Sequence, residues 1–111
     1  MLVVLGGLFV WLQPQKENGI SSEPRVFELT IKNNTLAGGP EAIRVTEGED
    51  IVIKITSDAS GEVHVHGYDK TLELTKDVPA ELAFRATITG RFEYELEDTH
   101  TPLGALEVLP K

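Results

Sequence analysis

The fold is decided by residues 27–58, which read FELTIKNNTLAGGPEAIRVTEGEDIVIKITSD. Apolar and polar side chains alternate at both ends of this stretch, as at Leu29, Ile31, Ile53 and Ile55. A period of two is typical of a β-strand with one buried and one wet face. Clusters of Gly, Pro, Asn and Asp separate the alternating runs and indicate turns. The stretch therefore predicts short strands joined by loops, with no helix.

The same pattern continues to the C-terminus. Eight predicted strands have their apolar positions within residues 27–31, 43–45, 51–55, 63–65, 72–74, 82–84, 92–96 and 106–108. No stretch of the domain shows the 3.6-residue period of an amphipathic helix. Short strands at this spacing predict an all-β sandwich or barrel of about eight strands.

The N-terminus differs from the rest of the 111-residue chain. Residues 1–12 read MLVVLGGLFVWL, an uncharged apolar run that is shorter than the roughly 20 residues of a transmembrane helix. We interpret it as an export signal or membrane anchor, and a buried core segment is the alternative. Residues 13–24 are polar and rich in turn formers, which predicts a linker, and residues 25–111 form the predicted domain.

Charge and cysteine content exclude several functions. The formal net charge is −8, with 18 acidic and 10 basic side chains, and the basic residues are scattered, which argues against a nucleic-acid partner. The chain has no cysteine, which removes disulfides, iron–sulfur clusters, thiolate zinc sites and cysteine nucleophiles. It also removes the thiolate that a blue-copper site requires.

Three segments together resemble a cupredoxin. They are residues 27–58, the motif GEVHVHGYD at 61–69, and GRFEYELEDTHTPLGALEVLP at 90–110. The resemblance is to small extracytoplasmic domains that carry HxHGYD. It implies a Greek-key β-sandwich located in the periplasm or outside the cell, with residues 1–12 as its membrane tether.

The resemblance also assigns positions to the copper ligands of the family. His64 falls on the N-terminal copper ligand, and Tyr68 and Asp69 close the pattern of that segment. The cysteine position falls on Leu96, and the histidine that follows it falls on His100. The position of the axial methionine falls near Pro102 or Leu103, so two of the three ligands of the last loop are absent.

The three histidines of the chain therefore predict a metal site without a thiolate, formed by His64, His66 and His100. Residues two apart on a strand project from the same face, so the imidazoles of the first two can converge. Imidazole binds copper and zinc, and the resemblance favours copper. Nearby carboxylates that can complete the site are Asp69, Glu97 and Asp98. The predicted role is copper capture or transfer, and not electron transfer or enzymatic catalysis.

Other interpretations remain open at this point. If Val63 and Val65 face the core, His64 and His66 lie on the wet face and can be ordinary surface residues. The domain would then be a metal-free scaffold that binds a protein partner of unknown identity. A zinc hydrolase with Glu62 or Glu97 as general base is disfavoured, because so small a sandwich leaves little room for a substrate pocket. The acidic run at 93–98 is interpreted first as the solvated face of a strand, and second as a patch that attracts metal ions or docks a partner.

Overall fold

The computed structural model describes residues 23–111, which form a sandwich of two β-sheets. The predicted N-terminal segment 1–12 and most of the predicted linker lie outside the described residues. The strands are β1 Arg25–Lys32, β2 Thr35–Gly38, β3 Ala42–Thr46, β4 Asp50–Ser57, β5 Gly61–Val65, β6 Lys70–Leu74, β7 Ala80–Arg85, β8 Gly90–Leu96 and β9 Thr101–Leu109. Within residues 23–111 there is no helix that is long and apolar enough to cross a membrane.

The strands are arranged in a four-stranded sheet, in the order β2-β1-β4-β7, and a five-stranded sheet, in the order β3-β9-β8-β5-β6. The pairs β1–β4 and β3–β9 are parallel, and the other pairs are antiparallel. Both sheets are therefore mixed. The all-β sandwich predicted from the period-two pattern is confirmed.

The core lies between the two sheets and is formed by the apolar positions of the alternating runs. In β4, Ile51, Ile53 and Ile55 are buried, while the residues between them are partly exposed. The five-stranded sheet contributes the largest fully buried side chain, Tyr94, together with Leu106 and other apolar residues. One face of each sheet is thus apolar and packed, and the other faces solvent.

The structure has nine strands, one more than the roughly eight that the pattern predicts. The additional strand is β2, which lies where the sequence indicated only a loop. Asn33 and Asn34 have φ values of 53° and 60°, so they form a tight two-residue turn that pairs Lys32 with Thr35. The strand escaped the pattern because it is only four residues long and its one large apolar side chain, Leu36, is only partly buried.

Candidate metal centre

Strand β5 and the residue that follows it place two histidines on the outer side of the five-stranded sheet. Val63 and Val65 are buried in the core, so alternation places His64 on the opposite side, and His66 follows directly after the strand. The imidazole ring centroids of His64 and His66 are 4.7 Å apart, with the rings edge to face. The two rings that the sequence predicted to converge are therefore in contact.

The third histidine reaches this face from the loop between β8 and β9. His100 has a φ of 54°, the left-handed conformation, at the end of the turn that follows β8. Its Nδ1 lies 3.5 Å from Oε2 of Glu95. The Nε2 of His66 lies 3.3 Å from the same oxygen atom. All three predicted ligands are thus brought to one surface, where His100 is joined to His66 through the carboxylate of Glu95.

Two of the three predicted carboxylates also contact a histidine. The Nε2 of His64 lies 3.5 Å from Oδ1 of Asp69, and its Nδ1 lies 3.7 Å from Oε1 of Glu97. That glutamate oxygen is buried and has no hydrogen-bond partner among residues 23–111. Asp98 makes no comparable contact, and its carboxylate lies beside Gly61 instead.

Sequence reasoning placed Glu95 in the acidic run 93–98 but did not name it among the carboxylates of the site. Glu95 lies on β8, directly across from His64 on β5, and its side chain is only 19% exposed. Burial raises the pKa of Glu95, but its polar contacts with His66 and His100 and the charges of those rings lower it more. The net result is a pKa for Glu95 below the usual value for a glutamate.

The turn after His66 is held in place by aromatic packing. Gly67 has a φ of 84°, and a side chain at this position would collide with the ring of Phe92. The ring of Tyr68 packs against Phe84 and Phe92, with centroid distances of 5.1 and 4.9 Å. Its hydroxyl donates to the carbonyl of Ile88 and accepts from the amide of the same residue, at 2.6 and 2.8 Å. The two ring contacts and the two hydrogen bonds of Tyr68 therefore fix the backbone that follows His66.

The interior of the sandwich does not fit a blue-copper centre. Leu96 occupies the cysteine position that the resemblance assigns, and its side chain is 6% exposed and belongs to the core. Leu103, near the assigned methionine position, is 4% exposed and belongs to the same core. Leu96 alternates with Glu95 on β8, so position 96 and the histidine cluster lie on opposite faces of the sheet. Neither the donor atoms nor the side-chain directions suit a centre of two histidines and one thiolate.

The outer face offers a different donor set. Imidazole nitrogen and carboxylate oxygen are both good ligands for Cu(II) and Zn(II). Within residues 23–111, however, no three or more His, Cys, Asp and Glu side chains are already arranged to hold a metal ion. The side chains of His66 and His100 are 49% and 76% exposed, so both rings lie at the surface.

Comparisons with known proteins bear on the fold. No family model matches this sequence, and no curated protein matches it. Among solved structures, the blue copper oxidase of Nitrosomonas europaea superposes with a TM-score of 0.63 at 21% sequence identity. The match covers 80% of this chain and 40% of that chain, so this chain spans about two fifths of the length of the oxidase.

Two smaller copper proteins are similar over nearly their whole length. Auracyanin A, a blue copper protein of Chloroflexus aurantiacus, has a TM-score of 0.60 at 13% identity, and the match covers 78% of this chain and 99% of that chain. A copper binding protein solved by NMR in its apo form has a TM-score of 0.59 at 12% identity, with 79% and 92% covered. This protein has a cupredoxin-like fold. At these identities the likeness shows a shared architecture.

Proposed function

We propose that this cupredoxin-like domain binds copper on the outer face of its five-stranded sheet, through a site without a thiolate formed by His64, His66 and His100. The observation that carries the proposal is the meeting of all three histidines of the chain on one face. Three imidazoles gathered on one face supply a donor set that suits Cu(II) or Zn(II).

The surroundings of the histidines support a cation as the ligand. Each imidazole has at least one carboxylate oxygen within 3.7 Å, supplied by Asp69, Glu95 or Glu97. The chain as a whole carries a formal charge of −8. Such a potential raises the local concentration of cations and would favour metal capture. Copper is preferred to zinc because the solved structures of similar fold include several copper proteins.

The donor set favours copper capture or transfer over electron transfer. The covalent bond between copper and a thiolate distinguishes the blue electron-transfer sites, and Leu96 cannot supply it. A surface site of imidazoles and carboxylates is open to solvent and exchanges its ion readily. We therefore propose a metal-handling, non-enzymatic role outside the cytoplasm, with residues 1–12 as export signal or membrane anchor.

A second candidate is a metal-free scaffold that binds a protein partner. It is favoured by one observation, namely that within residues 23–111 no group of three or more potential ligands is already arranged around a metal position. In this case the three histidines would only form polar contacts with the neighbouring carboxylates and would bind no metal.

Isothermal titration of the purified full chain with Cu(II), Cu(I) and Zn(II) separates the two candidates. We expect one equivalent of Cu(II) to bind, and the double variant His64→Ala/His100→Ala to lose this stoichiometric binding while circular dichroism shows an unchanged fold. Unchanged tight binding by the double variant would refute the assignment of the ligands. If the wild-type chain binds none of the three ions, the scaffold role is supported instead.

A further inference from the structure

We propose that Glu95 is a direct ligand of this metal site and makes it selective for divalent copper over Cu(I). The inference rests on the proposed function and adds to it a residue and a preferred oxidation state. Among the carboxylates that contact the histidines, Glu95 differs in its position between two imidazoles and in its lower exposure.

The position of Glu95 is set by the pairing of three strands. On β8 it lies opposite His64 of β5 on one side and opposite Pro102 of β9 on the other. The register between β8 and β9 shifts between Tyr94 and Glu95, so the loop that carries His100 returns beside this carboxylate. Glu95 therefore stands between the two segments that supply the histidines.

A single oxygen atom of Glu95 faces two imidazole nitrogens. Its Oε2 is 3.3 Å from Nε2 of His66 and 3.5 Å from Nδ1 of His100. Two donor atoms that are each about 2.0–2.1 Å from a tetrahedrally coordinated ion lie about 3.3 Å apart. The two observed separations match those of neighbouring ligands. Within residues 23–111 no three such side chains are yet arranged around a metal position, so binding requires the exposed rings to rotate towards a common ion.

Burial distinguishes Glu95 from the other carboxylates. Its side chain is 19% exposed, compared with 43% for Glu97 and 97% for Asp69. An ionised carboxylate that is largely withdrawn from water needs a compensating positive charge. A divalent cation held between Glu95 and the neighbouring imidazoles would supply that charge.

The chemistry of the donors sets the preference between oxidation states. Thiolates and thioethers favour Cu(I), whereas carboxylates favour harder divalent ions. A site of imidazoles and one carboxylate can therefore hold Cu(II) firmly, while Cu(I) gains little from the oxygen donor.

The test compares Glu95→Gln with the matched control Glu93→Gln in the full chain. Both changes remove one negative charge from the same face of β8. Of these two side chains, only the carboxylate of Glu95 contacts the imidazole rings, whereas Glu93 meets His66 through its backbone carbonyl, which the substitution leaves in place. The glutamine amide still accepts hydrogen bonds, so a carboxylate that merely orients the rings would be replaced without much loss. The probes are Cu(II) in competition with a chelator, and Cu(I) in competition with bicinchoninate under reducing conditions.

We expect Glu95→Gln to weaken Cu(II) binding by about 100-fold or more, at the upper end of losses known for residues that support metal ligands. Cu(I) binding should change less than about threefold, and the EPR spectrum of the residual Cu(II) complex should shift. Equal effects of Glu95→Gln and Glu93→Gln on Cu(II) affinity, or equal losses for both oxidation states, would overturn the inference. In those cases binding by the wild-type chain would still support the proposed function, whereas its absence would refute both.

Discussion

Leu96 and Glu95 are neighbours in sequence whose side chains point in opposite directions. The first is packed in the core, and the second faces the histidines on the outside of the sheet. This alternation follows from the geometry of an extended strand and separates two possible places for a metal. It explains why the interior of this cupredoxin-like domain is apolar while its surface carries the imidazoles.

Introducing a cysteine at position 96 tests whether the core and the histidine cluster are separate places for a metal. We expect the variant Leu96→Cys, loaded with Cu(II), to show no intense visible absorption, because the introduced sulfur would lie on the face opposite the histidines. The variant should also be less stable, because a smaller side chain leaves space in the core. Visible and EPR spectra of the copper-loaded variant provide the measurement. An intense blue colour would show that the histidines can reach the interior and would contradict the arrangement described above.

At the scale of the element, the turn between β5 and β6 connects the histidine pair to the core. Its conformation depends on Gly67, which has a positive φ and lies against the ring of Phe92. Most residues are strained in this conformation, and here the aromatic ring also leaves no room for a Cβ atom.

We expect Gly67→Ala to destabilise the protein by about 1–3 kcal/mol, from backbone strain and from displacement of the Phe92 ring. Gly48→Ala is the matched control, because Gly48 has a φ of 98° but a Cβ atom there would meet only the end of the Lys111 side chain. Urea unfolding of both variants gives the comparison. The interpretation fails if the control is destabilised as much as Gly67→Ala, since strain alone would then account for both.

The period-two alternation of apolar residues in the sequence is sufficient to predict most strands and their buried faces. The outward direction of His64 followed from the same alternation once Val63 and Val65 were assigned to the core. The contact between Glu95 and two histidines could not be predicted, because it depends on the register of β8 with its neighbours and on the path of the following loop. The short hairpin strand β2 was missed because a four-residue segment carries too little periodicity.

At the level of the whole molecule, packing of the two sheets buries the ionisable side chain of Tyr94 and changes its pKa. Burial, assisted by the negative charge of Glu41, raises the pKa of Tyr94 to about 12. The phenol of an unfolded chain ionises near pH 10. Between these two values the unfolded state has lost a proton that the folded state retains, so the stability of the fold decreases as the pH rises.

The alkaline stability of the wild-type chain should therefore decline from about pH 10 upward, and the variant Tyr94→Phe should lack this part of the decline. Urea unfolding at a series of pH values between 8 and 11 measures the effect, and the pH profile of the variant relative to its own value at pH 8 is the control. Parallel profiles for the two proteins would show that Tyr94 does not contribute to the alkaline transition.

The whole molecule also combines an acidic surface with a cluster of all three histidines, and this combination is the basis of the proposed copper site. The most direct test is the EPR and visible spectrum of the full chain after addition of one equivalent of Cu(II). We predict a nitrogen-coordinated type 2 signal without strong colour. A spectrum identical to that of Cu(II) in buffer, or an intense blue absorption, would contradict the account.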